Sequence, residues 1–439
     1  MTDSPTIIAS YDDALAFVDA RIGAGIKPGI ERITRLLDVL GDPQQTIPMI
    51  HVAGTNGKTT TVLMIREMLG GLGLRVGTFV SPHLHAVEGR YSVSGVPITR
   101  DEFVQAVADV APFCEAYEAA SGETVSYFEL TAAIGFQLFA SEGLDVAVVE
   151  VGLGGRWDAT NVVDAAVSVV TGISLDHEAI LGSTIAEIAA EKVAILKDAG
   201  TLVTGRLPAA ADGAMTSQVA TTNARWYRSG DDFNVEGTER IPTGWIVDIQ
   251  GIHGSYQDLT LHLHGRHQTA HLATAVAATE AFLDRELPAD PLVSAVDAIR
   301  SPGRNEVVSH DPLVLIDGAH NREGLEGLAK TLAEEFPAVT SWTLVIGVRG
   351  DRDPHEMITS LGPRIGSVVA CAPNDSQALS NEAVASAARA VVGDANVSVA
   401  DSVKDAMSMA LEGVATGNGV VVAGSLYVAG EARKAMGLG

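Results

Sequence analysis

The segment HVAGTNGKTTT, His51 to Thr61, places two glycines, a lysine and a run of hydroxyls between an apolar stretch (Ile47–Ile50) and the apolar residues Val62–Ile65. The order is strand, loop, helix. Backbone amides around Gly54, Thr55, Asn56 and Gly57, together with the helix start, form a cradle for an anion. Lys58 then reaches the outer phosphates of a nucleotide, and the hydroxyl of Thr59 or Thr60 meets magnesium. Val52 stands where the usual phosphate-loop pattern has glycine. The plainer alternative is a glycine-rich turn with a solvated lysine, but the complete order of strand, glycines, Lys-Thr and helix favours a nucleotide.

Other polar residues fall where later apolar runs end. Ser81 opens Ser81-Pro82-His83-Leu84, Glu150 lies inside the run VVEV, and His177 closes Ser174-Leu175-Asp176-His177. A carboxylate in an apolar strand is rarely left without a cation. Together with Thr59, these residues have the donor types to ligate a divalent ion. Singly, His177 reads as a hydrogen-bonded structural histidine and Glu150 as a partner for Arg156. Lys192, in AAEKVAILK, lies on a mostly apolar helical pattern and reads as a snorkelling surface lysine.

These residues need a parallel sheet to bring them together. Short valine-rich runs at Arg75–Ser81, Asp145–Val151, Ala166–Ile173 and Gly200–Gly205 alternate with helical patterns, as buried parallel strands do. From Trp226 to Leu263 the pattern alternates with turn residues between, which predicts a small antiparallel appendage. A helix follows over His267–Leu283. After Ser301-Pro302-Gly303 a second series begins, with strands at Leu313–Ile316, Thr343–Val348, Ser367–Ala372 and Gly419–Gly424 and a helix at Gly324–Phe336. The domain boundary is placed near Ile299. In such sheets ligands bind beyond the carboxyl ends of the strands, where the polar residues above lie.

The length of 439 residues predicts two domains. A formal net charge of −26 argues against nucleic acid and anionic membrane surfaces as partners, so a bound phosphate belongs to a small ligand in a local pocket. The N-terminus lacks a basic region before an apolar stretch, and no apolar run approaches a membrane span; a cytoplasmic protein is expected. Cys114 and Cys371, the only cysteines, match no metal or redox spacing and are expected to be buried thiols.

HVAGTNGKTT, SPHL, LDVAVVEVGLGGRWDATNVV, SLDH, EIAAEKVAILK, GRHQ, SPGR, IDGAHN, GDRD and GSLY stand in the order seen in folylpolyglutamate synthases and bifunctional dihydrofolate synthases, relatives of the Mur ligases. The resemblance runs from about Arg32 to Lys434, and its longest blocks belong to the folate branch. It implies an α/β fold. Residues 1–299 would form a P-loop ATPase domain with a parallel sheet and the small antiparallel appendage, and residues 300–439 a C-terminal Rossmann-like domain. It also implies ATP-dependent amide formation through an acyl phosphate, with two magnesium ions between the domains and a monovalent cation as a further candidate. The substrates implied are a pterin or folate carboxylate and L-glutamate, and the protein is expected to be a monomer.

By the same resemblance, Lys58 holds the outer phosphates, Thr59, Ser81, Glu150 and His177 serve the metals, and Lys192 takes the place of a lysine that family members carbamylate. Arg304, Asp317 and His320 match positions that close over ATP, with His320 approaching the transferred phosphate. The sequence departs from the family at four places. Thr59-Thr60 replaces a common Gly-Ser. His271 stands for the asparagine that reads adenine, Val87–Tyr91 for a common Glu-Arg-Ile, and Gln377 for a common arginine. Competing readings are a Mur-type or secondary-metabolic amide ligase with another acceptor, and a nucleotide-binding module without turnover.

Overall fold

In the computed structural model, which describes residues 6–25 and 28–439, the chain divides into two compact units. The first runs to Gly237 and includes Asp248–Leu259 and Ala270–Ile299; the second comprises Thr238–Val247, Thr260–Thr269 and Arg300–Gly439. Residues 1–5 of the N-terminal segment read above lie outside the described residues.

The first unit is built on eight strands: β1 (Met49–Ala53), β2 (Val76–Phe79), β3 (Tyr91–Val93), β4 (Val96–Pro97), β5 (Val146–Glu150), β6 (Val167–Val170), β7 (Thr201–Thr204) and β8 (Arg225–Arg228). Their order is β4-β3-β2-β5-β1-β6-β7-β8. Strands β2, β5, β1, β6, β7 and β8 run parallel, and β3 and β4 close one edge antiparallel. Every residue of β1, β2, β5 and β6 is buried, which accounts for their continuous apolar character. These four are neighbours. The loops that leave them therefore emerge along one edge of the sheet, where the polar residues of the phosphate loop, Ser81, Glu150 and Asp176-His177 are found.

On one core, Phe79 and Tyr91 pack with Phe103, Phe136 and Phe139. Another gathers Ile188, Ala189 and Val193 of the helix Ile185–Val193 with Leu202 and Met215. That helix starts cleanly because Thr184 and Glu187 form a capping box.

One expectation is corrected here. Trp226 does not begin the appendage but lies in β8, which pairs parallel with β7 from Thr201↔Arg225 to Thr204↔Arg228. The strand is half exposed, as an edge strand is, so it lacks the continuous apolar run that marks the buried parallel strands. The small sheet is β9 (Asn234–Ile241), β10 (Gly244–Gln250) and β11 (Ser255–Leu261), in the order β11-β10-β9. Only Pro242 and Thr243 join β9 to β10, and so short a link permits antiparallel pairing alone.

The second sheet has β12 (Glu306–His310), β13 (Leu313–Ile316), β14 (Trp342–Ile346), β15 (Ile365–Ala370), β16 (Val397–Val399) and β17 (Gly419–Ala423), in the order β12-β13-β17-β14-β15-β16. Only β12 is antiparallel. Its core surrounds Trp342, Leu344, Ile346 and Val421. Both cysteines are buried, and burial pushes each thiol up to about 12. Among the described residues no helix is long and apolar enough to cross a membrane.

Candidate active site

The phosphate loop leaves buried β1 and requires glycine at two points. Gly54 (φ 150°) and Gly57 (φ 80°) have positive φ, and a Cβ would stand 1.9 Å from Thr171 Oγ1 at Gly54 and 2.2 Å from the His271 ring at Gly57. The loop is pinned to the segment after β6: Thr55 N donates to Gly172 O (2.9 Å), Ser174 N to Thr55 Oγ1 (3.1 Å) and Thr171 Oγ1 to Asn56 O (2.6 Å). Lys58 Nζ bends back over the loop and donates to Gly54 O (3.0 Å) and Thr55 O (3.1 Å). Thr60, one turn into the helix Lys58–Gly71, is buried, whereas Thr59 faces the end of β5.

Glu150 is 1% exposed and receives the Thr59 hydroxyl at 2.9 Å on both carboxylate oxygens. Ser81 N donates to its Oε2 at 3.2 Å. Arg156, the plain partner for Glu150, goes instead to Glu191 Oε1 (2.9 Å). His177 sits in a left-handed conformation (φ 50°) and donates its amide to Asp176 Oδ1 (2.9 Å), its ring Nε2 lying 3.9 Å from that oxygen. Contacts thus join Thr59, Ser81 and Glu150, while His177 lies against Asp176. Among the described residues no three His, Cys, Asp or Glu side chains cluster as a metal group. The assembled donors are hydroxyl and carboxylate oxygens, the hard donors magnesium takes.

Lys192 is no surface lysine. It is 4% exposed in the last turn of its helix and donates to Gly54 O at 2.9 Å, the carbonyl that Lys58 also caps. Burial, then the Lys58 charge, lowers its pKa to about 7 against the opposing pull of Asp176 and Asp158. A sizeable share of the amine is therefore neutral and nucleophilic at neutral pH.

The structure also shows polar residues that pattern reading passed over. His51 is fully buried, with Nε2 2.8 Å from Thr160 Oγ1, which in turn lies 2.5 Å from Asp158 Oδ1. Because the carboxylate accepts from Thr160, the hydroxyl accepts from His51, so the histidine proton sits on Nε2. Burial lowers the His51 pKa to about 3. Partners 109 residues apart leave no local signal.

In the second unit, Asp317 ends β13 with both oxygens taken by backbone: Asn305 N on Oδ2 and Ala319 N on Oδ1, each at 2.7 Å. Gly318 N donates to Gly303 O (2.8 Å), and a Cβ at Gly318 would meet Arg304 Nη1 at 2.9 Å. His320 Nδ1 donates to Gly318 O (2.9 Å), which leaves the lone pair of the neutral ring on Nε2. Gln377 Oε1 accepts from Arg349, whose Nε is 3.1 Å from Asp375 Oδ2. Back in the first unit, Glu88 of the divergent Val87–Arg90 turn accepts from Tyr11 OH (2.7 Å).

Residues 52–279 match the Mur ligase middle domain, and residues 303–426 match the glutamate ligase domain of Mur ligases. The dihydrofolate synthase/folylpolyglutamate synthase of Mycobacterium tuberculosis is 36% identical over 442 residues, covering 94% of this chain and 91% of that protein. The chain belongs to the folylpolyglutamate synthase/dihydrofolate synthase family of Mur ligases. It is an ATP-dependent ligase that joins a carboxylate to an amine.

Solved relatives carry the same fold. The ligase superposes on Mycobacterium tuberculosis folylpolyglutamate synthase complexed with ADP with a TM-score of 0.93 at 37% identity, covering 98% of this chain and 99% of that one. On a folylpolyglutamate synthase–AMPPCP–folate complex the TM-score is 0.85 at 30% identity, covering 97% and 99%. The middle-domain match contains the phosphate loop, Ser81, Glu150, His177, Lys192 and His271, and the glutamate-ligase match contains Arg304, Asp317, His320 and Gln377.

Proposed function

We propose that the ligase adds L-glutamate to the carboxylate of dihydropteroate, of a reduced folate, or of both. The observation that carries the phosphoryl chemistry is the convergence of Lys58 and Lys192 on Gly54 O beside the Thr59–Glu150 pair. The acceptor class rests on the relatives: one is named for both folate reactions, and another was solved with folate bound.

An acceptor carboxylate oxygen attacks the γ-phosphorus of ATP, ADP leaves and an acyl phosphate forms. The glutamate amine then attacks the acyl carbon, loses a proton and expels phosphate. Gly54, Thr55, Asn56, Gly57, Thr59 and Thr60 present amides and hydroxyls to the phosphates, and Lys58 swings from the loop carbonyls to neutralise the outer ones. Thr59, Ser81, Glu150 and His177 would hold magnesium, which supplies charge neutralisation to the phosphates when bound. Lys192 attacks carbon dioxide as the neutral amine, loses a proton and becomes a carbamate, whose oxygens would serve a second magnesium. Arg304, Asp317, His320 and His271 complete the nucleotide site in this reading, with His320 nearest the transferred phosphate. Residues 1–299 and 300–439 serve as the two domains of a cytoplasmic monomer.

A different carboxylate acceptor is the second reading, favoured by Gln377 engaged with Arg349 and by the Glu88 turn engaged with Tyr11. Phosphate release with dihydropteroate or tetrahydrofolate, with and without glutamate, separates the two. The folate reading expects release only when ATP, acceptor and glutamate are all present. Inactivity with both pterins but turnover with another carboxylate would replace it with the second reading, and ATP binding without turnover on any acceptor would leave a binding module.

A further inference from the structure

The helix Ile185–Val193 ends one residue after Lys192, so its last carbonyls decide how firmly that side chain is aimed. An α-helix leaves its final four carbonyls without helical partners. Here all four are taken. Lys192 O receives Ile195 N (3.5 Å) and Val193 O receives Leu196 N (3.0 Å), both from the chain that follows. The other two are supplied from a distant segment: Arg156 N donates to Glu191 O (2.9 Å), and Arg156 Nη2 donates to Ala190 O (3.1 Å).

The same arginine pairs through Nε with Glu191 Oε1 at 2.9 Å, so one residue grips backbone and side chain of the last turn together. A guanidinium here also complements the negative end of the helix dipole. The approach is as close as backbone permits. A Cβ on Gly155 would stand 2.5 Å from Glu191 O, 2.8 Å from Lys192 O and 3.0 Å from Lys192 Cα. Beyond the helix, Asn161 Nδ2 donates to Arg156 O (3.1 Å) and Ala194 O (3.4 Å), while Lys197 Nζ donates to Asn161 O and Oδ1, both at 2.8 Å. The segment is itself anchored: Asp158 accepts from Leu153 N (2.8 Å) and Thr160, and Thr160 bonds His51 on β1.

We propose that Gly155, Arg156 and Asn161 form a clamp that sets the reach of Lys192 onto the phosphate loop, with Arg156 a positioning residue for the ligase reaction. The proposal rests on the reading of Lys192 given above. Arg156 does not face Glu150, and its side chain is 41% exposed, so truncating it removes the guanidinium bonds to Ala190 O and Glu191, keeps the backbone bond to Glu191 O, and empties no core. A displacement of about 1 Å at a reacting centre costs on the order of a hundredfold in rate, so a slackened last turn is felt in kcat.

The test is a double-mutant cycle on phosphate release with Arg156→Ala, Lys192→Ala and the pair, joined to amide hydrogen exchange on metal-free protein. Arg156→Ala should lower kcat about tenfold or more, with KM for ATP changed less than about twofold, yet leave the residual rate of Lys192→Ala unchanged, because it acts only through that lysine. Exchange should quicken in the peptide spanning residues 185–197 and stay constant elsewhere. Arg156→Lys should match alanine, since an ammonium cannot span Ala190 O and the Glu191 carboxylate as the fork does. Equal losses in both backgrounds, an active Arg156→Ala, or unchanged exchange at residues 185–197 would each overturn the clamp. Full activity in Lys192→Ala alone would instead remove the reading on which it rests.

Discussion

At the end of β5 the buried Glu150 carboxylate receives the Thr59 hydroxyl on both oxygens and one amide, whereas at the end of β13 the buried Asp317 carboxylate is taken up by two amides of the surrounding turns. Both acids lie where strands of a parallel sheet end. The hydroxyl can turn away, so the Glu150 oxygens could be released to a cation without moving backbone. Backbone amides cannot turn away, so Asp317 holds the loop that carries Gly318 and His320 in shape for the proposed nucleotide site rather than offering its oxygens to a cation. A strand-end acid is therefore read by its partners rather than its place: a mobile donor leaves it open to a cation, and fixed donors commit it to shaping a loop.

The largest effect expected on the first cluster is from Lys58→Ala, which should lower ATP turnover by about 10²–10³-fold with thermal unfolding unchanged, as loss of a preorganised charge donor does. Near wild-type phosphate release would remove the phosphate-loop assignment. Lys192→Ala should lose most activity and regain part of it with acetate or formate, while Lys192→Arg fails as badly, having no way to become an oxygen ligand. Truncating a solvated lysine changes stability by under about 0.5 kcal/mol and leaves nothing to rescue, so full activity in the arginine variant would contradict the carbamate.

Glu150→Gln and Asp317→Asn put the contrast to a direct trial. The first should move the midpoint of a magnesium titration of phosphate release upward by about tenfold, since it withdraws a charged hard ligand. The second should leave that midpoint in place and lower stability by about 1–3 kcal/mol, because one backbone amide then faces an NH2 group. If the two variants exchanged these phenotypes, the division between an acid open to a cation and an acid that shapes a loop would be wrong.

A smaller, pH-dependent effect belongs to His51. Its folded pKa of about 3 lies below the unfolded value of about 6.5, so the unfolded chain binds the extra proton between those values. Stability from this group is complete above pH ~6.5 and falls as pH drops toward 3. His51→Asn should flatten the acid side of a plot of unfolding temperature against pH; an unchanged slope would show that His51 does not set it.

The phosphate loop was legible because its glycines, Lys58 and Thr59 are contiguous, and Glu150 because one charge interrupts a run of valines. Lys192 was ambiguous for a physical reason. Helical periodicity marks a polar position but not what meets it, and here the side chain meets Gly54 O of the phosphate loop, 138 residues away, while Gly155 packs on its backbone. The His51–Thr160–Asp158 chain crosses between a strand and a distant turn, and its members look like ordinary core and loop residues one at a time. The same limit acted on the sheets: β12 is a half-buried edge, β16 is three residues long, and half-exposed β8 lacks an apolar run.

If the acceptor carboxylate is activated by phosphorylation, its own oxygen reports on that. Dihydropteroate or tetrahydrofolate labelled with oxygen-18 in the reacting carboxylate would be turned over with ATP and glutamate in unlabelled water, and the released phosphate analysed by mass spectrometry. Through an acyl phosphate, one labelled oxygen is left on phosphorus when the amine takes the acyl carbon. One oxygen-18 per phosphate released, matched to amide formed, is the expected result. Amide formation with unlabelled phosphate would contradict it, because the carboxylate would then have been activated without its oxygen ever bonding to the γ-phosphorus.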